Sequence, residues 1–377
     1  MLRSITLLVL LLHTMLFSAA QDATALYNEG LKLKDEKKPA AAMEKFEKAL
    51  LLKPGYTDAL YQLGWCQNES KLYSKAITTL RTVRTSWSNI PKVHFELGYA
   101  FEKNNNADSA ISSYNRCLQL KPDYANVYKQ LGNIAYEKSE YEKAITYFKK
   151  HIEQAKNEIT DYLFWYRKGF TENALKDYTA AQASLLKSLN IKTDYINTYL
   201  ELGFAYTKLK QDDDAINYFK KAIDIDPKSH IPYNGIAEVY RDNKKNMTEA
   251  IAWYQKSLTI NPNERKANYG LGYCSNSLGK YTEAITYLKK AIEYEATYTA
   301  AFVELGYSYY KTKRYPDALN NFAKALSQNP KNENARYYSG LVYIIQKDRI
   351  NAQRMVDELK NLNSKNATSL QDKVNKM

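Results

Sequence analysis

A period of 34 residues runs along this chain and constrains its fold more than any other feature of the sequence. A small residue recurs ten times, at successive spacings of 34, 34, 34, 37, 34, 34, 35, 34 and 34 residues. These positions are Gly30, Gly64, Gly98, Gly132, Gly169, Gly203, Ala237, Gly272, Gly306 and Gly340. A fixed period of this length is typical of a solenoid, in which each unit packs mainly against its neighbours.

Each repeat carries the apolar pattern of two amphipathic helices. In the sixth repeat, large apolar residues recur three or four residues apart at Tyr199, Leu202 and Tyr206 and again at Ile216, Phe219 and Ile223. Residues at this spacing share one helix face, which needs a partner to bury it. Glycine inside a helix costs about 1 kcal/mol relative to alanine, so the recurring small residue predicts a close approach of two helices. Prolines that cannot continue a helix separate the repeats, at Pro54, Pro122, Pro227, Pro262 and Pro330.

The repeats resemble the tetratricopeptide repeat family. The sixth repeat matches the family pattern at Tyr199, Leu202, Gly203, Tyr206, Ala215, Phe219, Ala222 and Pro227. The ninth matches it at Phe302, Leu305, Gly306, Tyr309, Ala318, Phe322, Ala325 and Pro330. The resemblance implies an all-α fold, a right-handed α-solenoid of about ten helix-turn-helix repeats.

The period divides the chain into three parts. We expect a signal peptide at 1–20, ten repeats over 21–366, and a capping helix or tail at 367–377. The expected repeats cover about 23–56, 57–90, 91–124, 125–158, 162–195, 196–229, 230–264, 265–298, 299–332 and 333–366. The spacing of 37 adds three residues near 154–158, and the spacing of 35 predicts one extra residue in the turn at 244–246.

The first twenty residues have the pattern of a secretory signal peptide. Arg3 precedes a mostly apolar run over 5–17, and Ser18, Ala19 and Ala20 supply small residues for cleavage before Gln21. The pattern predicts export, with the periplasm of a Gram-negative bacterium as the destination. Secretion and an uncleaved N-terminal anchor are the alternatives, although the apolar run is shorter than the roughly 20 residues of a spanning helix.

The chain is strongly basic, with a formal net charge of +13 at pH 7. Lysine pairs at 149–150, 220–221 and 289–290 fall on second helices, which line the outer face in this family. Aromatic residues do not alternate with these pairs as they do in nucleic-acid-binding surfaces, so we expect a solvated basic face and no nucleic acid. After signal cleavage we expect no stable membrane insertion, only weak contact with anionic surfaces. The oligomeric state does not follow from the sequence.

No motif in the sequence points to catalysis, a cofactor or a metal. The four histidines, at 13, 94, 151 and 230, do not pair at metal-ligand spacing. We interpret Asp212, Asp213 and Asp214 as capping residues in the turn before a second helix, where carboxylates favour the helix dipole. The three cysteines, at 66, 117 and 274, lie at interior positions far apart, which predicts buried free thiols. We therefore predict a non-enzyme.

The resemblance implies an inner groove lined by first helices, and two sets of residues fall in its register. The aromatic set is Tyr27, Tyr61, Trp65, Phe95, Tyr99, Tyr166, Phe170, Phe204, Tyr269, Tyr273, Tyr307 and Tyr337. The polar set is Asn126, Lys129, Asn133, Asn197, Asn234 and Asn276. Aromatic rings offer contact area at low entropy cost, and asparagine pairs with any peptide backbone. The same positions also serve as packing between adjacent first helices, so both roles stay open for each residue.

The sequence thus predicts a non-catalytic scaffold that binds another protein, as an extended peptide or partner helix in the groove. One alternative is a spacer or assembly module of a cell-envelope complex. Another is a carbohydrate-binding aromatic groove, since aromatic faces also stack on sugars. Lys129 and Asn133 match part of the clamp that holds peptide C-termini in chaperone-binding family members. Arg167, Asn197 and Glu201 depart from it, so chaperone-tail binding is not predicted.

Overall fold

A computed structural model describes residues 21–155, 157–294 and 297–377, and all the regular structure of these residues is helical. The predicted signal peptide lies outside the described residues. The chain divides into two compact units, one ending at Leu175 and the other beginning at Lys176. Within each unit, consecutive helices pack as antiparallel pairs and successive pairs stack on each other. The predicted all-α solenoid of helical repeats is confirmed.

The first unit contains nine helices within the described residues. They are α1 (21–35), α2 (Pro39–Leu52), α3 (Thr57–Glu69), α4 (Tyr73–Ser86), α5 (Pro91–Lys103), α6 (Ala107–Leu120), α7 (Ala125–Glu137), α8 (Tyr141–Gln154) and α9 (Tyr162–Ala174). Odd-numbered helices are the first helices of repeats, and even-numbered helices are the second helices.

The second unit contains twelve described helices. They are α10 (Tyr178–Ile191), α11 (Ile196–Lys208), α12 (Asp212–Ile225), α13 (Ile231–Glu238), α14 (Met247–Ile260), α15 (Arg265–Ser277), α16 (Tyr281–Tyr294), α17 (Thr299–Lys311), α18 (Tyr315–Gln328), α19 (Glu333–Ile345), α20 (Arg349–Asn361) and α21 (Asn366–Asn375). Helices α10 to α20 continue the same alternation. A π-helical turn, Val239–Asn243, extends α13.

The recurring small residue lies under a large side chain of the second helix. A methyl group built on Gly203 would come within 2.6 Å of the Phe219 ring, and one on Gly132 within 2.5 Å of Phe148. The partner follows the glycine by 16 residues in both cases. The predicted helix contact therefore exists, and glycine is needed because any Cβ would occupy the space of the ring.

The turn between the two helices of a repeat has a constant form. Three residues link the helices, and the middle one has a left-handed backbone, as Lys71 (φ 60°) does between α3 and α4. The amide of Leu72 then donates to the Gln67 carbonyl at 2.8 Å, which satisfies a carbonyl at the helix end. Lysine takes this position in most repeats, and Gly279 takes it in the eighth.

The extra residue of the seventh repeat lies in the helix and not in the turn, where the sequence placed it. The turn over 244–246 keeps three residues with left-handed Lys245 in the middle. The preceding helix instead widens into the π-helical turn, in which the backbone amide of Lys244 donates to the Val239 carbonyl at 3.1 Å. A π turn absorbs one residue without breaking the helix, so the turn stays unchanged.

The additional residues near 154–158 lengthen the connection from α8 to α9. Asp161 ends this connection and caps α9 by accepting from the amides of Leu163 and Phe164. The indole of Trp165 donates to the Ile159 carbonyl at 2.9 Å and holds the connection against the helix.

The C-terminal segment that was expected to cap the array is helix α21. It packs on α19 and α20 and buries Leu370 and Val374. Leu370 lies over Gly340, the place that second-helix side chains take in earlier repeats. The cap therefore completes the last helix crossing.

The three cysteines are buried and free, as predicted. Burial raises the pKa of the Cys66 and Cys274 thiols to about 11 and that of the Cys117 thiol to about 12. None of the described helices has the length and apolar content that crossing a membrane requires.

The Gly203→Val substitution tests the helix crossing. We expect it to unfold the region around α11–α13, because the new side chain overlaps Phe219, whose ring also lies 2.5 Å from a methyl group built on Gly235. Overpacking of this kind costs typically about 1–3 kcal/mol or more, and distant repeats should persist because each repeat depends mainly on its neighbours. Hydrogen exchange followed by mass spectrometry should show lost protection in α11–α13 only.

The matched control is Gly55→Val, at an exposed glycine with no atom near its Cβ position. It should leave exchange unchanged throughout. Uniform loss of protection in the Gly203→Val variant, from α3 to α19, would contradict local coupling between repeats.

Candidate peptide groove

Sixteen of the eighteen predicted groove residues fall on three rows along the first helices, which we term the groove rows. Relative to the small residue, the rows lie three residues before it, one after it and four after it. Asn126 and Asn197 lie six residues before the small residue, outside these rows. In α5 these positions are Phe95, Tyr99 and Glu102, all partly exposed, whereas Leu97 and Phe101 are buried. In α5 the rows therefore form the edge of the helix that borders solvent.

Aromatic residues of the first row contact a tyrosine that precedes the next first helix. The ring-centroid distances are 5.0 Å for Tyr27–Tyr56, 5.2 Å for Phe95–Tyr124 and 4.9 Å for Tyr269–Tyr298. Each contact joins adjacent repeats. The packing role that the sequence left open is thus present at these positions.

Aromatic residues of the second row lean on the tyrosine that opens the preceding second helix. The distances are 6.4 Å for Tyr99–Tyr73, 6.0 Å for Phe170–Tyr141, 6.0 Å for Phe204–Tyr178 and 6.1 Å for Tyr307–Tyr281. Trp65 takes the same position in α3 and carries the Lys34 ammonium 4.2 Å from its ring centroid. One side of each ring is held, and Phe204 keeps 39% of its surface exposed.

In three repeats the third row links a first helix to the next first helix, through a position two residues before the small residue that the sequence did not single out. Asn68 donates to the carboxylate of Glu96 at 2.9 Å and to its carbonyl at 3.0 Å. Asn276 and Glu304 repeat this pair at 2.8 and 3.1 Å. Both pairs are 28 residues apart, an offset that recurs in the bond from Lys34 to Gln62 at 2.7 Å. A search of the sequence for polar residues 28 positions apart on successive first helices would have found these pairs.

Burial perturbs the carboxyl groups of these pairs. It raises the pKa of Glu96 to about 7 against the opposing hydrogen bond from Asn68. Burial also raises the pKa of Glu304, again against a hydrogen bond from its asparagine. A charged carboxylate loses hydration in these places, so the neutral form is favoured.

Three predicted groove residues do not reach the surface. Tyr61 is 7% exposed and packs on Trp87 at 5.8 Å, because its ring fills the core between α3 and α4. Asn276 is 5% exposed and committed to Glu304, and Asn234 is 6% exposed in α13. Because these three side chains are buried, the prediction that they line the groove is wrong.

The remaining predicted residues keep accessible surface. Asn126 is exposed, and Asn197 donates to the Tyr195 hydroxyl at 3.2 Å. Tyr166 contacts Phe170 within α9 at 6.4 Å. In the second unit, the Tyr273 ring centroid lies 5.7 Å from the Arg241 guanidinium carbon, and the Tyr337 hydroxyl oxygen lies 3.5 Å from the Ser369 hydroxyl oxygen.

The partial clamp residues are engaged within the chain. Lys129 pairs with Asp161 at 3.4 Å, and Arg167 pairs with Glu137 at 3.3 Å. The Asn133 amide donates to Gln130 at 3.1 Å beside an open pocket of about 380 Å³ that Arg167 also lines. The basic groups that would hold a carboxylate therefore already have acidic partners.

The acidic run at 212–214 belongs to the first turn of α12, not to the turn before it, and Gln211 precedes the helix. Asp212 accepts from the Asn243 amide at 2.6 Å, and Asp213 pairs with Lys244 at 2.9 Å. In the described part of the chain, no three His, Cys, Asp or Glu side chains converge as metal ligands.

Comparison with protein families identifies the repeats. Models described as Tetratricopeptide repeat match residues 33–85, 95–159, 162–195, 196–229 and 303–348. A model described as Anaphase-promoting complex, cyclosome, subunit 3 matches residues 243–325.

Curated relatives align with parts of the chain. Heat shock protein STI1 of Saccharomyces cerevisiae is 29% identical over 31% of this chain and 20% of its own length. Anaphase-promoting complex subunit 6 of Arabidopsis thaliana is 23% identical over 54% of this chain and 32% of its own length. The chain thus spans a third or less of these two relatives.

Solved structures share the fold. The APC/C hetero-tetramer Cut9-Hcn1 matches with a TM-score of 0.54 and 16% identity over 93% of this chain and 76% of that one. PilW, a type IV pilus biogenesis factor, matches with a TM-score of 0.51 and 21% identity over 57% of this chain and 99% of that one. At these identities the comparison shows the solenoid fold alone.

The raised pKa of Glu96 predicts a pH-dependent stability. In the unfolded chain this carboxyl ionises near its ordinary value of 4.5, whereas in the fold it stays neutral up to about pH 7. Its stabilising contribution is therefore complete below pH 4.5 and is lost as the pH rises through 7, by about 3 kcal/mol. Relative to Glu96→Gln, the wild type should lose hydrogen-exchange protection in α3 and α5 between pH 4.5 and pH 8.

Comparing both proteins at each pH removes the intrinsic pH dependence of exchange. Glu47→Gln, at an exposed position of α2, serves as the control and should differ from wild type equally at every pH. A pH-independent difference between wild type and Glu96→Gln would show that Glu96 is not buried as described.

Proposed function

Since the chain is built from tetratricopeptide repeats, which generally mediate protein–protein interactions, we propose that it is a non-catalytic scaffold that binds an extended peptide or a partner helix. The ligand lies along the groove rows of the first helices. The observation that carries this proposal is the second row of aromatic rings. At Tyr99, Phe170, Phe204 and Tyr307, each ring is held on one side by a tyrosine of the preceding repeat and remains partly exposed.

A ring held in this way is suited to binding. Its rotamer is already restricted, so a ligand that covers its open side removes little additional side-chain entropy. Phenylalanine, tyrosine and tryptophan also supply much contact area per residue, which is why aromatic residues dominate binding hot spots. The rows repeat from helix to helix, so an extended ligand can contact several repeats.

The rings also have a packing role, so the test must keep that role intact. Replacing Trp65, Tyr99 and Phe170 by leucine preserves apolar filling on the held side and removes the aromatic surface. We expect the triple variant to lose the protein partner that wild type captures after cross-linking in the source cell, with affinity reduced at least about 100-fold.

A second triple variant, Tyr147→Leu with Lys149→Ala and Lys150→Ala, changes α8, a second helix, and serves as the control. It should capture the same partner as wild type. Capture that is equal in the groove variant and wild type, but lost in the α8 variant, would move the interaction to the outer face and favour an assembly role.

We also propose that the chain is exported, on the basis of the signal-peptide pattern over residues 1–20. The basic pairs on second helices would then face anionic surfaces of the cell envelope, where attraction is weak and salt-dependent. The mature protein should begin at Gln21 when its N-terminus is sequenced from a periplasmic fraction. An intact Met1 in a cytoplasmic fraction would contradict export.

A further inference from the structure

The row positions of the first helices α15, α17 and α19 are uncharged and rich in tyrosine. Eight half-buried tyrosines gather at or beside these positions, and we term them the tyrosine field: Tyr269, Tyr273, Tyr281, Tyr307, Tyr310, Tyr315, Tyr337 and Tyr338. None of the nine row positions on these three helices is a charged residue. Rows of the first unit, in contrast, include Lys34, Glu102 and Lys129.

Six of the eight rings form one connected set around Tyr307, and Tyr269 and Tyr273 form a separate pair with centroids 6.3 Å apart. The Tyr307 centroid lies 6.1 Å from Tyr281, 6.4 Å from Tyr310 and 5.0 Å from Tyr338. Tyr310 and Tyr338 contact each other at 6.0 Å, in the place that Asn276 and Glu304 occupy one repeat earlier. The rings thus support one another across repeats and leave a half-exposed aromatic surface.

The field offers hydrogen-bond donors. The hydroxyl groups of Tyr269, Tyr273, Tyr310 and Tyr338 make no hydrogen bond to another described residue, and tyrosine hydroxyls stay protonated at neutral pH. The Lys311 ammonium is a cation beside two of these rings, 5.4 Å from the Tyr281 centroid and 6.0 Å from the Tyr307 centroid.

Acceptors in this region are already engaged. The Asn276 amide donates to the Glu304 carboxylate at 2.8 Å and accepts from the Ser308 hydroxyl at 2.7 Å. A charged peptide would find no side chain of opposite charge at these row positions. A sugar, whose hydroxyls are donors as well as acceptors, would find no free carboxylate or amide among the row positions.

A polyproline II segment matches this surface. It has no internal hydrogen bonds, so its carbonyls are free acceptors, and its prolines have no N–H that needs a partner. Its turn of three residues advances about 9 Å, and packed helices lie about 8–10 Å apart. One turn of the ligand can therefore place one proline ring on the tyrosines of each repeat, because adjacent first helices of the field pack together.

We propose that the tyrosine field binds an uncharged, proline-rich segment in the polyproline II conformation. The inference rests on the proposed function, because it assigns a ligand class to part of the same groove rows. Preformed ligand and preformed rings both lower the entropy cost of association.

Fluorescence anisotropy of labelled dodecapeptides with the full chain tests the proposal. Dodecaproline should bind with micromolar affinity, and a Gly-Ser dodecapeptide of equal length should not bind measurably. The Tyr307→Leu, Tyr310→Leu double variant should weaken dodecaproline binding at least about 30-fold. The Tyr307→Phe, Tyr310→Phe variant keeps the rings and their packing, and loss of two hydroxyl donors should weaken binding about fivefold or more.

Control measurements distinguish binding of a proline-rich segment from the scaffold function in general. Tyr287→Leu, on second helix α16, should bind dodecaproline as wild type does. Equal binding of both peptides, binding of cellohexaose in place of dodecaproline, or full affinity in the leucine variant would overturn the proposal. If dodecaproline fails to bind while the Trp65, Tyr99 and Phe170 variant still loses its partner, the scaffold function stands and the proline-rich ligand is wrong.

Discussion

The contact between a large second-helix side chain and the small residue of the first helix is the constraint on which the rest of the structure depends. Phe219 shows it in both directions, since its ring lies over Gly203 of its own repeat and against Gly235 of the next first helix. One side chain thereby fixes the crossing within a repeat and the stacking on its neighbour. Because no space remains for a Cβ at either glycine, neither position accepts a larger residue without displacing the ring.

The groove rows follow from this crossing. With one edge of each first helix fixed against the second helix, positions such as Phe95, Tyr99 and Tyr307 fall on the edge that borders solvent. Aromatic contacts between repeats then order these rings, so packing and binding are two uses of the same side chains. Where a ring turns fully into the core, as Tyr61 does against Trp87, the binding use is lost.

The sequence was sufficient for features that repeat with the period. It predicted the helical solenoid, the small residue at the crossing and the buried thiols, because each depends on local apolar spacing. It placed the extra residue of the seventh repeat in the turn, whereas Val239–Asn243 absorbs it as a π-helical turn. A longer turn and a π-helical turn each absorb one residue, so residue counting alone cannot assign the insertion.

The side-chain contacts between repeats could not be predicted from the sequence. Asn276 was predicted to line the groove, yet it is buried against Glu304, because whether a row residue meets solvent depends on its partner 28 residues later. Tyr61 and Tyr99 were both predicted to line the groove, yet Tyr61 is buried and Tyr99 remains partly exposed. Periodicity gives the helix face, and side-chain packing decides its use.

The central claim is that first helices, and not second helices, meet the partner. Photo-cross-linking in the source cell tests it most directly, with benzoylphenylalanine in place of Tyr99 on α5 in one protein and in place of Lys149 on α8 in another. We expect a partner adduct from the Tyr99 position and none from the Lys149 position. An adduct from the Lys149 position alone would contradict it.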